Sequence, residues 1–497
     1  MKKILTIILF VLAMFTLVSC NEKKDAIVFN SKKVVNDNFY GLGVECGVYE
    51  DVGKLQRGAE EKIYKSLDRL NPKLVRCMTN FDWIVKNFSD NGTKDDLTDD
   101  TWEYDFSNKY MLNAYQVLDY CETKGIIVAF GIWNVIGSAN EEEDIYHMIP
   151  NVTADPRWAE MCADLMEYLV KTKGYTCIKY FVNTNEPDYS GAKGASKNAY
   201  NTYEIWEQGV KNVRAAFDKV GLTNLDIVGG DATTKDGIEK YLTGVATNLK
   251  KEVKNYGVHL YISNYDIDNA YLQDRVMDTY TQIKKLDKND PKKVIIWESG
   301  LLDGKNVQTD CNAYIANFSY GIRMADYTIQ CMLSKVSGIV YWDLDDAMHY
   351  MYSENGMTAK EWGMFSTLND APAIKQEYRP WYHSSCLLTN LFSSGSKIIE
   401  ANKKIDNIRM IASIDSDNNN AGYVIVNRDK TDFTRDFRID AKIANEKLYV
   451  YIFSENQIKL DANGFVTYNY EIDGKISDYT TLTVPANSVV IVSTRRL

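Results

Sequence analysis

Short apolar runs alternate with longer amphipathic stretches from about residue 40 to residue 345, and this alternation narrows the possible folds more than any other feature of the chain. The strand-like runs are 41–46, 74–78, 126–133, 178–184, 225–230, 258–262, 294–298 and 338–343. Helices are predicted over 58–70, 109–124, 156–173, 198–219, 236–252, 269–286 and 311–335. Apolar residues recur there at helical spacing, as in Leu112, Tyr115, Val117, Leu118 and Cys121. Eight strands alternating with helices over roughly 300 residues predict an α/β fold of the (β/α)8 TIM barrel type. A doubly wound open sheet would want a glycine-rich nucleotide loop after an early strand, and the sequence has none. From residue 373 the helical period fades. Short alternating runs at 408–414, 422–427, 433–439, 448–453 and 484–493 take over, separated by turn-rich segments such as 415–420. That change predicts a C-terminal β-sandwich over 373–497 following a barrel over 38–372.

The first residues read as an address. Lys2 and Lys3 precede an apolar run from Ile4 to Val18 that is short for a membrane span, and LVSC, ending at Cys20, resembles a bacterial lipobox. The expectation is an exported lipoprotein: residues 1–20 are signal peptide and lipobox, Cys20 carries the lipid, and the body is membrane-anchored on the periplasmic or the outer-surface face. Residues 21–37 then form a tether and a strand-like run, 26–35, that could return to the sandwich. No other stretch is long and apolar enough to cross a bilayer, so membrane contact is expected through the lipid anchor only. A formal net charge of −11 argues against nucleic-acid binding, which needs a basic face. The eight remaining cysteines lack metal-type pairing and the four histidines are scattered, so no metal and no cofactor is expected. Disulfide pairing and oligomeric state stay open.

The chemistry should sit where the apolar runs stop. The fourth run ends in Asn185-Glu186-Pro187, an amide and a carboxylate side by side. Pro187 cannot donate to a sheet and is expected to push Glu186 towards an extended backbone. The seventh run ends in the same way, at Glu298 of IIWESG. Barrel enzymes place their chemistry at the C-terminal ends of the strands, so both glutamates are expected at one rim. Two such carboxyl groups about 5–5.5 Å apart are the working parts of a retaining glycosidase, one protonating the leaving oxygen and one attacking the anomeric carbon. Arg76 on the second run and Tyr261 on the sixth are placed to hold Glu298 ionised, and Trp342 at the end of the eighth could floor a sugar pocket. Trp83, Trp133, Asn134, Asp231, Asp343, Asp345 and Asp346 are further rim candidates, each equally explicable as satisfying a loop.

Asn185-Glu186-Pro187, the glutamate of IIWESG and the pair His259-x-Tyr261 resemble the clan A glycoside hydrolases over about residues 38–345. The resemblance implies Glu186 as acid/base and Glu298 as nucleophile, with Arg76, Trp133, Asn185, His259, Tyr261 and Trp342 around the sugar. The C-terminal segment containing LTVPANSV looks like the accessory sandwich of families 30, 39 and their relatives, while Val182-Asn183-Thr184 matches no single family pattern. The expected protein is a lipid-anchored retaining hydrolase of β-glycosidic bonds in a polysaccharide or oligosaccharide, its preference set by the loop 83–108 and the segment 343–366 with Trp362. The alternative is a non-catalytic glycan-binding lipoprotein on the same barrel. That protein would be expected to have lost one of the two glutamates or the Asn-Glu pair, and all are present. Serine-hydrolase chemistry would need a GxSxG elbow, which is absent.

Overall fold

A computed structural model describes residues 23–37, 39–48, 59–93, 96–135, 150, 152–189, 202–353, 356–365 and 377–497. Cys20 and the leader expected over 1–20 lie outside the described residues.

The barrel strands are β1 (Gly41–Glu45), β2 (Leu74–Thr79), β3 (Ile127–Ile132), β4 (Ile178–Val182), β5 in two pieces (Asp226–Ile227 and Gly230–Ala232), β6 (Asn255–Ile262), β7 (Lys293–Leu301) and β8 (Gly338–Tyr341). All neighbours are parallel, and β8 pairs with β1. The ring closes through β5, whose first piece pairs with β4 and whose second pairs with β6. Between the pieces, Val228 N donates to Phe181 O at 2.9 Å and Gly257 N donates to Gly229 O at 2.8 Å. Glycine is required at the crossing, since a Cβ on Gly229 would come within 2.3 Å of the Asn255 carbonyl. Strands buried on both faces explain the unbroken apolar runs. Leu74, Met78, Ala129, Val182, Val228, Ile295, Trp297 and Val340 fill the barrel interior, and the opposite faces pack under the helices.

The helices follow ordinary local chemistry. Asn108 caps Lys109–Lys124 by accepting from Tyr110 N and Met111 N, and Gly125, at φ +66°, ends it. Leu112, expected on the apolar face of this helix, points to solvent instead. The helix Pro156–Glu167 continues as a π-turn over Tyr168–Thr172. After residue 373 comes one more helix, Pro380–Leu391, which packs against the barrel helices Ala59–Leu70 and Phe318–Leu333. It joins the barrel helices, and the C-terminal strands of the sandwich begin at Lys397.

The sandwich is a nine-stranded mixed sheet folded on itself. Ile27–Asn36 lies inside it, antiparallel to Lys397–Ala401 and parallel to Phe433–Asp440. In Ala421–Asn427 the side chains alternate. Tyr423 and Ile425 enter the sandwich core, while Val424 and Val426 face the cluster shared with the barrel helices. Arg428 locks the two layers together, its Nε 2.5 Å from Asp326 Oδ2 and its Nη1 2.9 Å from Asp268 Oδ1. Three small hairpins decorate the C-terminal rim of the barrel: Val85–Ser89 with Thr101–Tyr104, Lys305–Asn306 with Cys311–Asn312, and Tyr350–Ser353 with Gly356–Ala359. The eight described cysteines are free thiols, and only Cys311 is not buried. Among the described residues no helix is long and apolar enough to cross a membrane.

Candidate active site

Glu298 faces the barrel interior because β7 breaks its alternation. Val258 pairs with Ile296, but the next residue, His259, pairs with Glu298, so Trp297 is an extra residue in the ladder. Regular alternation would send Ile296 and Glu298 to the same outer face; the bulge turns Glu298 inward beside His259. A second slip lies between β5 and β6, where Gly230 and Ala232 oppose the consecutive residues Gly257 and Val258. The surplus residue is Asp231, with φ +54°. Both bulges aim a charged side chain at the same point.

Glu186 arrives there by another route. Asn185 N is tied to the carbonyls of Ile132 and Trp133 at the end of β3, both at 3.2 Å. Glu186 then takes φ +41°, a left-handed backbone and not the extended one expected from the following proline. The reason is a tight turn: Tyr189 N donates to Glu186 O at 3.0 Å, and the Asp188 carboxylate accepts from Thr233 N, Thr234 N and the Thr234 hydroxyl. These bonds outweigh the local preference, and strain of this kind gathers at functional sites. The turn brings Glu186 Oε1 to 3.0 Å from His259 Nδ1.

The same nitrogen lies 3.4 Å from Glu298 Oε2, and Glu186, His259 and Glu298 each present an atom within 4.8 Å of the other two. The two glutamates therefore meet across a gap of the size that retaining chemistry uses. Their surroundings differ. The Glu186 side chain keeps 20% of its surface exposed, whereas that of Glu298 keeps 6%. Glu298 accepts from Arg76 Nη1 at 2.7 Å and from the Tyr261 hydroxyl at 2.8 Å. Arg76 is fully buried, and it also gives Nη2 to Asn185 Oδ1 at 2.6 Å and to Asp231 Oδ2 at 3.1 Å. Asp231 in turn bonds His259 Nε2 at 2.9 Å. The acids are thus wired through one arginine and one imidazole.

Burial lowers the proton affinity of His259, but Asp231 and Glu298 raise it by more, and the ring is held well above its ordinary value as an imidazolium. Burial would raise Asp231, yet His259 and Arg76 hold it below the usual carboxylate range. For Glu298 burial wins: it is pushed above its ordinary value, with Glu186 adding to the push and His259, Arg76 and Tyr261 opposing it. Glu186, His259 and Glu298 also form the one set of described residues whose spacing could suit a cation. Both His259 nitrogens already face carboxylates, so a proton occupies the ring where a metal would need a lone pair.

The site opens into a cleft of about 970 Å³ lined by Trp83, Trp133, Asn134, Tyr189, Trp342, His349 and Trp362 besides the residues above. Trp342 stacks on His349, with centroids 4.6 Å apart, and Trp133 stands edge-on to both. Arg76 lies 5.2 Å from the Trp133 ring. Trp362 meets Tyr261 edge-on at 5.6 Å. Of the rim candidates, Trp83, Trp133 and Asn134 line the cleft and Asp231 joins the charged cluster. Asp343, Asp345 and Asp346 do not line it; they are buried below, where Asp346 grips Arg379 through bonds of 2.8 and 2.6 Å. Sequence reasoning missed Tyr189, His349 and Glu45. Glu45 ends β1 beside Arg76, and the pattern that exposed Glu186 and Glu298, an apolar run closing on a carboxylate, was there to be read in 41–46.

The chain matches no protein-family model and no curated protein. Solved structures match over nearly its whole length. A glycoside hydrolase family 30 subfamily 8 xylanase from Clostridium acetobutylicum aligns at 14% identity and a TM-score of 0.60, over 94% of this chain and 99% of its own. A glucosidase from Croceicoccus marinus gives 12%, 0.63, 94% and 98%. A GH39 enzyme from Xanthomonas axonopodis pv. citri gives 12%, 0.60, 96% and 99%. The fold is that of the clan A glycosidases. At these identities the likeness speaks for the barrel and the sandwich, and the chemistry must be argued from the side chains.

Proposed function

We propose that the protein is a retaining glycoside hydrolase that cleaves β-glycosidic bonds in a polysaccharide or oligosaccharide. The observation that carries this reading is the convergence of Glu186 and Glu298, one half-open and one buried, on a single imidazole within 4.8 Å. Glu298, fixed by Arg76 and Tyr261, attacks the anomeric carbon. Glu186, next to solvent, gives its proton to the leaving oxygen and later takes one from the water that releases the sugar. Asn185, held by Arg76, presents its amide beside the reacting carbon, and Trp342 and Trp133 offer ring faces to the sugar. His259 positions both carboxyl groups.

A mechanism-based fluoro-glycoside tests the assignment. It should trap a covalent adduct on Glu298, and an adduct on any other residue would reassign the nucleophile. Xylan and β-xylosides are natural first substrates, because xylanases and a β-xylosidase are among the proteins of like fold. The lipoprotein reading of residues 1–20 is likewise a proposal: cells given a labelled fatty acid should label the protein, and Cys20→Ala should abolish the label. Labelling that survives this change would place the anchor elsewhere.

A further inference from the structure

The proposed reaction leaves one acid of this cluster without a task. Glu45 is fully buried at the end of β1, where it is the register partner of Arg76. Its Oε2 lies 3.3 Å from Arg76 Nη1, the same nitrogen that holds Glu298 at 2.7 Å. Its Oε1 has no hydrogen-bond partner. As a carboxylate it would keep a charged oxygen out of water with nothing to satisfy it, which is expensive. The local charges say the same. Arg76 and an imidazolium at His259 offset Asp231 and Glu298. An ionised Glu45 would leave a buried surplus of negative charge and compete with Glu298 for one N–H.

We propose that Glu45 is a positioning residue that works only as a neutral carboxylic acid: protonated, it leaves Arg76 on the nucleophile, and ionised, it draws Arg76 away and shuts the reaction down at alkaline pH. The inference rests on the retaining-glycosidase reading. Burial pushes the Glu45 carboxyl up to about 8, with Arg76 and His259 opposing and Glu298 reinforcing. The groups that face it are Arg76 and Cys77 from β2, His259 from β6, Glu298 from β7, Asp343 beyond β8 and the adjoining Cys46. Cys46 and Cys77 are pushed up by burial from values already alkaline and stay neutral while Glu45 titrates, and burial pushes Asp343 up as well. His259 and Asp343 are the neighbours whose own proton loss could imitate the effect, so the test must separate Glu45 from both.

The experiment is the pH profile of kcat/KM, from about pH 5 to pH 10, on an activated aryl glycoside whose leaving group needs no protonation. Each profile is scaled to its own plateau. Wild type should lose activity above about pH 8, and Glu45→Gln, which cannot ionise, should carry the alkaline limb upwards by about one pH unit or more. A limb unmoved in Glu45→Gln overturns the proposal and assigns the limb to another group of the cluster. A wild-type limb lying beyond about pH 10 overturns it too, and that result needs no variant, which covers the case in which Glu45→Gln does not fold. Glu298→Gln on the same substrate keeps the two readings apart. If it is inactive and the Glu45→Gln limb stays in place, the glycosidase reading stands and only the role of Glu45 falls.

Discussion

The rim of the barrel and the heart of the sandwich are equally buried, and they bury opposite things. In Ala421–Asn427 pairing runs without a slip against both neighbours, and the strand hides tyrosine, valine and isoleucine. At the rim, β5 and β7 each carry an extra residue in their pairing with β6, Glu186 and Asp231 take left-handed backbones, and the hidden side chains are Arg76, Glu45, Asp231, His259 and Glu298. Regular pairing gives each strand two predictable faces. A slip in the ladder is what turns a carboxylate from an outer face to an inner one. The sandwich should therefore answer to stability measurements and the rim to activity measurements.

The largest expected effect is Glu298→Gln, which should lower kcat/KM on every glycoside by about 10^4-fold or more. Its circular dichroism should stay native; an unfolded variant would blur the contrast, and retained turnover would end it. Next comes Glu186→Ala. Substrates with poor leaving groups should lose about 10^2- to 10^4-fold, while an activated aryl glycoside should lose about tenfold or less in its glycosylation step. Equal losses on both would move the acid elsewhere. In the sandwich, Ile425→Ala should cost about 2–5 kcal/mol in denaturant unfolding and leave kcat/KM in place. A large loss of activity in this variant would show that the two regions are not separable.

The smallest effect is one of pH on stability. His259 and Glu45 both hold protons in the folded chain that the unfolded chain releases, near about 6.5 and 4.3 respectively. The stability linked to a raised group is complete below its unfolded value and is lost as pH rises through the folded one, about 8 for Glu45. The melting temperature should therefore decline from about pH 4.3 to about pH 8 through Glu45, with His259 adding to the decline above about pH 6.5. Glu45→Gln should flatten that slope, whereas Ile425→Ala should lower the whole curve without changing its shape. A slope that Glu45→Gln leaves untouched would show the acid to be ionised already.

Most of the architecture could be read from the sequence because buried parallel strands advertise themselves as apolar runs, and a carboxylate closing such a run marks the rim. Glu186 and Glu298 were legible for that reason. What stayed hidden depends on pairing between strands. Nothing local announces that Trp297 or Asp231 is surplus to its ladder. The left-handed turn at Glu186 is imposed by Tyr189 and Asp188 against the preference that Pro187 sets up. The helix Pro380–Leu391 escaped for a different reason: it is buried on nearly every side, so it has no polar face to give it a period. That helix lies within 373–497, the segment read as sandwich from the fading period.

One strand has a bearing on how the molecule is made. Ile27–Asn36 finds its partners across almost the whole polypeptide; Val28 N, for example, bonds the side chain of Asn402, 374 residues away. A nascent chain must carry that strand unpaired while the barrel takes shape behind it, and a translation product that stops short of residue 440 would keep it as a bare edge, open to aggregation. The same weave decides where a pull is felt. A pull on the chain at Lys23 would be taken up first by the sandwich, through Ile27–Asn36.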